Sequence, residues 1–591
     1  MEEWSGTMTS GSRLLRYTIL FVLMSAPAFV VAQDFSIGEK GAAAIGTKVM
    51  IATAHPLATE AGAEMFRRGG NAVDAAVAAA FAIGVVEPDG SGIGGGGGIL
   101  IHLKNGKSVY INCYGQTSSR IMEIGFVYGK DNRTAKAILI PGAVAGLTAA
   151  LKQYGSLPLG VVLQPAIRYA EKGFLIDETL SKIILDNTDL LQRHPVTASV
   201  YLRDGFPRTE GDTIVQPDLA RTLKAIAQNG PSAFYTGPIA KEIVDEVVRY
   251  GGMMTLEDLA SLQPIVSEPV EGTYRGLRVI SAPPPHSGVT VIEALQILDN
   301  TSVSNLGYYA NSAESFHLLA ETLRRAYADR IVFLADPRFE RVPVKGLLSQ
   351  AFAQSRFQDI SMTAVTPPEY RQTTVGTPLK FEPNTQTPAL KDSSEKREPE
   401  HGSSLDPAGG HTTQISVMDR EGNSVSLTQT LGTFFGSGVT ASGVLLNNGM
   451  SNFASTAKVN TVNPNKQPRS SISPTILLKG ERTIMVVGSP GAARIPATVV
   501  TLIVNAVDYG LDAEKTNSAP RFLCQRSEPY ISMESRFSNE AQEGMKKKGH
   551  QLRLYGDFDL FFGGAQIILV DSTGTMYGSA DPRRGGTAMG Y

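Results

Sequence analysis

Thr412 stands where a polar stretch without apolar runs gives way to TTQISVMD, which has the pattern of a β-strand. A threonine hydroxyl is a poor nucleophile unless a base lies beside it. Cleavage between His411 and Thr412 would supply that base, because a freed α-amino group has a reference pKa of about 7.7–8.0. The junction is thus compatible with an N-terminal threonine nucleophile that breaks amides. It is also compatible with a plain strand after a flexible loop, since strands often begin with threonine.

A second candidate is the glycine run Gly90–Gly98, whose first six residues fit G-x-G-x-x-G. A dinucleotide site needs this pattern after a strand and before a helix. Here the run follows a predicted helix and precedes a predicted strand, ILIHL, so we interpret it as a tightly packed loop. The sequence has no GxxxxGK[ST], HExxH or CxxC motif. We therefore expect no bound nucleotide, no metal ion and no other cofactor.

The composition is that of a soluble globular protein. The 591 residues are 42% hydrophobic and 19% charged, which excludes a mostly disordered or fibrous chain. The net charge of −2 gives no basic footprint for nucleic acid. Two cysteines, Cys113 and Cys524, allow at most one disulfide. Glycine is abundant, with 60 residues, so close backbone approaches are expected where it clusters.

Residues 1–32 have the pattern of a secretory signal. Arg13 and Arg16 precede an apolar run that ends in VVA at Ala32, with small residues where a signal peptidase reads. We expect cleavage after Ala32 and export, to the periplasm or out of the cell. The apolar run contains a proline and is short for a membrane span of about 20 residues. We therefore expect no stable membrane span after its removal, with an uncleaved anchor as the alternative.

Hydrophobic periodicity predicts an α+β body. Residues 58–68 read as an amphipathic helix, and Asn71 is placed to cap a second, apolar helix over 72–86. Segment 363–410 is rich in Pro, Thr, Ser, Glu and Lys, and we predict that it is flexible. Strand patterns separated by short turns follow it and indicate an antiparallel sheet: TTQISVMD, SVSLTQTL, GVLLNN, PTILLK and TIMVVG.

Taken in order, these segments resemble the gamma-glutamyltranspeptidases, which are N-terminal nucleophile hydrolases. The C-terminal part carries TTQISVMDREGNSVSLTQTLGTFFGSG, PNKQPRSSISPTILL, VVGSPGAAR and YGSADPRRGGTAMGY. The N-terminal part carries AHPLATEAGAEMFRRGGNAVDAAVAAAFAIGVVEP, PPPHSG and AYADRIVFLADPRF. The resemblance is colinear over residues 48–591, which makes it far more specific than any single motif.

The resemblance implies a four-layer αββα sandwich made from one precursor that cuts itself. Thr412 would attack the carbonyl of His411, and water would open the resulting ester. The products would be a large subunit, residues 33–411, and a small subunit, residues 412–591, both contributing to one globule. The expected substrate is a small molecule with a γ-glutamyl or other acyl amide.

The resemblance also assigns residues around the nucleophile. Thr430 matches the threonine that hydrogen-bonds the nucleophile. Gly491 and Ala492 match the pair whose backbone N–H groups form the oxyanion hole, and such donors carry much of the rate in acyl transfer. Ser470 and Ser471 match the pair that contacts the α-carboxylate of the substrate. Without the resemblance, capping of a turn would be the preferred role for these serines.

The position that holds the α-carboxylate departs from the family pattern. The family uses an arginine within an R-E-x-A-P stretch, where this sequence has NCYGQT with Tyr114 at the arginine position. A phenol does not replace a bidentate guanidinium. Arg120, six residues further on, is a candidate substitute.

The positions that hold the α-amino group depart as well. Gly432 replaces an asparagine, Gly449 a glutamine or glutamate, and Asn452 an aspartate. Loss of that carboxylate removes the ionic partner of an ammonium group, and the two glycines predict an emptied specificity pocket. The segment after Phe453 is too short for the lid found in some members, which predicts an open site.

Two activities follow from the resemblance. The formal prediction is a gamma-glutamyl hydrolase or transferase for glutathione-like compounds, because that activity is general in the family. The alternative is a diverged amidohydrolase for acyl groups without the α-amino function, like the related cephalosporin acylases. A third hypothesis is an exported protein that keeps the fold without activity; the retention of Thr412, Thr430 and the GSPGA loop argues against it.

Overall fold

The computed structural model describes residues 35–39, 41–383, 410–454, 459–526 and 528–591. The predicted signal segment lies outside these residues, as do residues 384–409 of the segment predicted to be flexible.

Helices alternate with strands along the described chain, and none of the helices there is long and apolar enough to cross a membrane. In chain order the helices are α1 (Pro56–Arg67), α2 (Ala72–Val86), α3 (Ala143–Tyr154), α4 (Leu159–Val162), α5 (Gln164–Lys172), α6 (Glu178–Asp186), α7 (Thr188–Leu191), α8 (Pro195–Tyr201), α9 (Pro217–Asn229), α10 (Ser232–Tyr235), α11 (Gly237–Arg249), α12 (Leu256–Ser261), α13 (Gly288–Leu298), α14 (Ala313–Phe333), α15 (Val344–Leu347), α16 (Gln350–Gln358), α17 (Ile495–Val507), α18 (Ala513–Ser518) and α19 (Asn539–Lys547).

The strands, also in chain order, are β1 (Ser36–Glu39), β2 (Ala44–Gly46), β3 (Met50–Thr53), β4 (Gly96–His102), β5 (Ser108–Asn112), β6 (Phe174–Leu175), β7 (Leu202–Arg203), β8 (Phe206–Pro207), β9 (Thr213–Ile214), β10 (Ile265–Ser267), β11 (Val270–Tyr274), β12 (Leu277–Ser281), β13 (Gly410–Met418), β14 (Ser424–Thr433), β15 (Thr440–Ala441), β16 (Val444–Leu445), β17 (Thr475–Lys479), β18 (Arg482–Gly488), β19 (Phe522–Leu523), β20 (Ile531–Glu534), β21 (Leu552–Tyr555), β22 (Gln566–Val570), β23 (Met576–Ala580) and β24 (Thr587–Gly590).

Two antiparallel sheets form the centre of the fold. Sheet A has eight strands in the order β1-β24-β3-β13-β14-β4-β5-β10, and sheet B has seven in the order β11-β12-β17-β18-β22-β23-β2. The predicted antiparallel arrangement is confirmed, since β13 pairs with β14 across the turn DREGNS and β17 pairs with β18 across the turn KGER.

Each sheet has one face on the other sheet and one face under helices. β13 and β14 of sheet A contact β18 of sheet B, and the side chains buried between the sheets include Leu100, Tyr110 and Ile568. On the outer faces, α1 and α2 cover sheet A, while α13 and α17 cover sheet B. The order of helix, sheet, sheet and helix is the predicted αββα sandwich, and the predicted α+β class is confirmed.

Helix α2 lies on β13 and β14 and supports the strands of the candidate site. The Asn71 side chain caps it by accepting from the N–H groups of Val73 and Asp74, and the Asp74 side chain accepts from Asn71 N–H at 2.8 Å. All of its residues except Gly84 are buried, as expected for a helix that is apolar on all sides.

Residues 363–383 are not the flexible segment that their composition predicts. They form two short 3-10 helices, Tyr370–Gln372 and Pro378–Phe381. Tyr370 is buried, and its hydroxyl hydrogen-bonds His550. Hydrogen bonds from Arg324 and Arg356 to Pro367, Thr373 and Thr374 also hold this stretch to the body. A composition rich in Pro, Ser and Thr does not reveal these contacts.

His286 ties the stability of the fold to pH. The ring is buried beside Tyr110, whose hydroxyl hydrogen-bonds its Nδ1, and burial lowers the pKa of His286 from 6.5 to about 3. Below pH 6.5 the unfolded chain binds a proton that the folded chain does not, so this stability is present above pH 6.5 and is lost as the pH falls toward 3.

We therefore expect His286→Gln to destabilise the protein at pH 7.5 and to destabilise it less at pH 4.5. The destabilisation should shrink by roughly 1.4 kcal/mol for each pH unit below 6.5. Urea unfolding at both pH values measures it, with Thr412→Ala present in both chains so that neither is cut. An equal loss of unfolding free energy at the two pH values would contradict the prediction.

Candidate active site

Neighbouring strands of sheet A bring the predicted nucleophile and Tyr114 to one end of the sheet. Thr412 of β13 lies opposite Thr430 of β14, and Thr430 lies opposite Gly96 of β4. Strand β5, the next neighbour, ends at Asn112, two residues before Tyr114. A Cβ at Gly96 would lie 2.9 Å from the Cα of Tyr114. The glycine run therefore serves close backbone packing, as predicted, and it lets the Tyr114 segment approach β4.

The peptide bond between His411 and Thr412 lies at a β-bulge. His411 pairs with Gly432 while Thr412 pairs with Thr430, so Leu431 is an extra residue on β14. The Thr430 hydroxyl donates to the carbonyl oxygen of His411 at 2.9 Å, and the buried Thr412 hydroxyl donates to Thr430 Oγ1 at 3.1 Å. One hydroxyl thus contacts both the predicted nucleophile and the carbonyl that it would attack, and it polarises that carbonyl.

Arg584 also holds the nucleophile, a role that the sequence did not predict. Its Nη1 donates to the carbonyl oxygen of Thr412 at 3.0 Å and to Glu87 Oε1 at 3.1 Å. The sequence signal for Arg584 was its place in the C-terminal motif ADPRRGG. Arg584 and Glu87 are far from Thr412 along the chain, and only the fold brings the three residues together.

The side chain of His411 occupies a closely fitted slot. Its ring stacks on Phe434 with centroids 4.2 Å apart, and a Cβ at Gly90 would lie 2.3 Å from its Nδ1. Asp89 Oδ2 lies 3.1 Å from the same nitrogen. Burial lowers the pKa of His411 well below its usual range and raises the pKa of Asp89 well above its own. Burial therefore disfavours the charged form of both groups.

The predicted oxyanion loop connects β18 to α17 and packs against β13. Gly491 has φ 126° and Ala492 has φ 49°, so the alanine occupies the left-handed region that favours glycine. Within the described part of the chain, no acceptor bonds to the N–H group of either residue. Arg494, three residues after Gly491, is buried over the ring of Phe561, and burial lowers the pKa of Arg494 to about 10.

Two departures from the family pattern bond to each other. The Tyr114 hydroxyl accepts from Asn452 Nδ2 at 2.9 Å and also contacts the hydroxyl of Ser470. Burial raises the pKa of Tyr114 to about 12, so the phenol is neutral. Where the family places an arginine and an aspartate, this protein thus has a neutral hydrogen-bonded pair.

A guanidinium that the sequence did not predict reaches the second serine. Arg330, in the motif AYADRIVF, donates from Nη2 to Ser471 Oγ at 2.9 Å and from Nε to Ser287 Oγ at 2.7 Å. Arg120, in contrast, is exposed and forms a bidentate pair with Glu123, with N to O distances of 2.8 and 2.6 Å. The structure does not bring Arg120 to the other candidate residues.

The space at the two glycines is filled, which corrects the expectation of an emptied pocket. A Cβ at Gly432 would lie 2.1 Å from Asn448 Oδ1, and a Cβ at Gly449 would lie 2.4 Å from Leu139 Cδ1. The Asn448 side chain is fixed there because its Oδ1 accepts from the N–H of Thr433 at 2.9 Å. Neighbouring side chains therefore occupy the space next to both glycines.

The assembled groups suit acyl transfer: a hydroxyl nucleophile, a second hydroxyl on the adjacent carbonyl, and two N–H groups available to an oxyanion. Among the residues that the structure describes, no group of three His, Cys, Asp or Glu side chains gathers to hold a metal ion.

Known proteins with similar sequences or structures fall into one group. A family model described as gamma-glutamyltranspeptidase matches residues 58–591. The glutathione hydrolase proenzyme of Escherichia coli (strain K12) is 36% identical over 556 residues, which are 90% of each chain. The acylase ACY 1 proenzyme of Pseudomonas sp. (strain SE83) is 35% identical over 584 residues, 96% of this chain and 97% of that one. The crystal structure of cephalosporin acylase from Bacillus halodurans matches with a TM-score of 0.81 at 27% identity, covering 97% of this chain and 99% of the acylase.

Proposed function

The chain belongs to the gamma-glutamyltranspeptidase family, and from this premise we propose that it is a self-cleaving acyl-amide hydrolase or transferase with Thr412 as its nucleophile. Maturation begins when Thr412 Oγ1 attacks the carbonyl carbon of His411, which Thr430 polarises at 2.9 Å. The C–N bond breaks, and the nitrogen becomes the free α-amino group of Thr412. Water then opens the ester and leaves a large subunit, residues 33–411, and a small subunit, residues 412–591.

In the mature enzyme the α-amino group of Thr412 is the general base. It takes the proton of Thr412 Oγ1 as the oxygen attacks the substrate amide, and it returns the proton to the departing amine. The N–H groups of Gly491 and Ala492 stabilise the tetrahedral oxyanion. The acyl-enzyme then passes its acyl group to water or to an acceptor amine. All catalytic groups come from the chain itself, so the mechanism uses no cofactor.

The hydrogen bond between Tyr114 and Asn452 carries the proposal for the acyl group. An ammonium group beside this neutral pair would lose water without gaining a counter-charge, which is unfavourable. Ser470 and Ser471, which the resemblance assigns to the substrate carboxylate, are both present, and Arg330 fixes Ser471 by donating to its Oγ at 2.9 Å. We therefore propose an acyl group with a terminal carboxylate and no α-amino group, such as glutaryl. This preference reverses the order of the two activities predicted from the sequence.

Gamma-glutamyl transfer or hydrolysis of glutathione-like compounds is the second candidate. Two observations favour it: 36% identity to a glutathione hydrolase proenzyme over 90% of the chain, and the presence of both serines, Ser470 and Ser471. We also propose that the mature protein is exported, to the periplasm or out of the cell, because residues 1–32 have the pattern of a secretory signal.

A matched set of p-nitroanilides tests the acyl preference. Glutaryl and γ-glutamyl p-nitroanilide differ only in the α-amino group, while pentanoyl p-nitroanilide lacks both the amino group and the carboxylate. We expect kcat/KM to be roughly 10- to 100-fold higher for glutaryl than for γ-glutamyl, the cost of burying an amine without an ionic partner. Pentanoyl should be poorer than glutaryl because it has no carboxylate to accept hydrogen bonds from Ser470 and Ser471. A higher kcat/KM for γ-glutamyl would reject the acylase proposal in favour of the second candidate.

A further inference from the structure

A small cavity lies beside His411, the residue that precedes the bond that maturation would cut. Its volume is about 20 Å³, enough for one water molecule, which needs roughly 10–15 Å³. Apolar walls from Ala54, Val86 and Leu180 surround part of it. The polar groups that line it are His55, Glu87, Asp89, Asp177, Thr179, His411 and Arg584.

Several polar atoms of this lining have no protein partner. Glu87 Oε2, Asp89 Oδ2 and both ring nitrogens of His411 are buried and make no hydrogen bond within the described part of the chain. Asp89 and His411 approach to 3.1 Å but are not aligned for such a bond. Buried polar groups in proteins are nearly always satisfied, by protein or by ordered water. A cavity of water size with two to four such atoms meets both conditions for a bound water.

We propose that this cavity holds the water that hydrolyses the Thr412 ester during maturation, and that Glu87 and Asp89 are its positioning residues. The inference rests on the proposed self-cleavage between His411 and Thr412. The cavity is lined by His411 itself, so a water held there is next to the acyl part of the ester. It is also separate from the Tyr114–Asn452 pair, which belongs to the substrate side.

The hydrolysis step balances as follows. The water oxygen forms a bond to the carbonyl carbon of His411, and the bond from that carbon to Thr412 Oγ1 breaks. One proton of the water passes to Thr412 Oγ1 and the other is accepted by the free α-amino group of Thr412. The products are the carboxylate of His411, the free Thr412 hydroxyl and the Thr412 α-ammonium group, which then releases its proton to solvent. The carboxyl groups of Asp89 and of Glu87, which Arg584 holds at 3.1 Å, both line the cavity and can hydrogen-bond the water.

The test separates ester formation from ester hydrolysis. Asp89→Leu replaces the polar group with an apolar one of similar size, while Asp89→Asn keeps hydrogen-bonding atoms and serves as the matched control. Full-length chains are incubated with and without hydroxylamine, which opens esters without needing a positioned water. We expect Asp89→Leu to be cut roughly tenfold more slowly than wild type, because the leucine side chain cannot hydrogen-bond the water. Asp89→Asn should stay within about threefold of wild type.

Hydroxylamine gives the decisive readout. Rapid cutting of Asp89→Leu in its presence, with a hydroxamate at His411 by mass spectrometry, supports the proposal. Cutting of Asp89→Leu at the wild-type rate overturns it. So does a block that hydroxylamine does not relieve, because the defect then precedes the ester. If Asp89→Leu does not fold, Ala54→Val, which fills the cavity from a buried apolar position, is judged by the same criteria. An uncut wild type, or a cut Thr412→Ala, would instead refute the underlying self-cleavage.

Discussion

Thr412→Ala is expected to leave one uncut chain whose amidase activity is at least about 10⁴-fold below that of the mature wild type. The substitution removes the hydroxyl that donates to Thr430 Oγ1 at 3.1 Å, and this hydroxyl is the proposed nucleophile of both maturation and catalysis. It also keeps the α-amino group locked in a peptide bond, so the base is lost together with the nucleophile. Denaturing gel electrophoresis and an assay with glutaryl p-nitroanilide measure the two effects.

Thr412→Ser is the matched control for this experiment. Serine keeps a hydroxyl at the same position, so the chain should still be cut, and the small subunit should begin at residue 412 by mass spectrometry. A new N-terminus elsewhere in the wild type, or wild-type chains that stay intact after long incubation, would refute the threonine mechanism. Normal cutting of Thr412→Ala would refute it as well.

The second large effect, a change in substrate preference, is expected from Tyr114→Arg combined with Asn452→Asp. The pair would change from a neutral phenol and amide to two opposite charges, which suit the carboxylate and ammonium groups of a γ-glutamyl substrate. A charged hydrogen bond contributes about 1.5–3 kcal/mol. Only the bond between the new carboxylate at position 452 and the ammonium group distinguishes the two substrates, so the ratio of kcat/KM for γ-glutamyl over glutaryl p-nitroanilide should rise by about 10- to 100-fold. Tyr114→Arg alone should already raise γ-glutamyl turnover, by a smaller factor.

Tyr114→Phe controls for loss of the phenol hydroxyl without added charge, and it should not shift the ratio toward γ-glutamyl. Because Tyr114 is buried, each variant is compared only after its cutting and thermal unfolding match those of wild type. An unchanged ratio in a fully cut double variant would mean that Tyr114 and Asn452 do not line the acyl site. Restored γ-glutamyl activity from Tyr114→Arg would also show that Arg120 is not needed as a clamp.

The sequence was sufficient to predict the helices and strands that have a strong hydrophobic periodicity. The capped helix α2, the hairpin of β13 and β14 and the paired strands β17 and β18 all follow from local patterns that tertiary packing did not override. The four-layer sandwich was predicted from the family resemblance, because hydrophobic periodicity alone does not determine how sheets stack. The flexible segment was predicted too broadly, because composition cannot register the burial of Tyr370 against His550.

The site was predictable only where a motif assigned a role. Thr412 and Thr430 were found this way, and the register places them opposite each other. Arg584 and Glu87 were missed because their contact with Thr412 joins three distant parts of the chain. The prediction of an emptied pocket was wrong for a related reason. A glycine in the sequence shows that its position has no side chain, but it does not show which neighbour, here Asn448 or Leu139, occupies the adjacent space.

The strand order has a consequence for the lifetime of the protein. In sheet A, β13 and β14 lie between β3 and β4, and in sheet B the strands from β17 to β23 lie between β12 and β2. The proposed cut therefore yields two polypeptides whose strands are interleaved in sheet A, while in sheet B four strands of the small subunit lie between strands of the large subunit. Unfolding of the precursor has molecularity one, whereas the mature protein unfolds into two molecules that dilution separates. Such a protein persists through a slow rate of opening rather than through reversible refolding, which is kinetic stability.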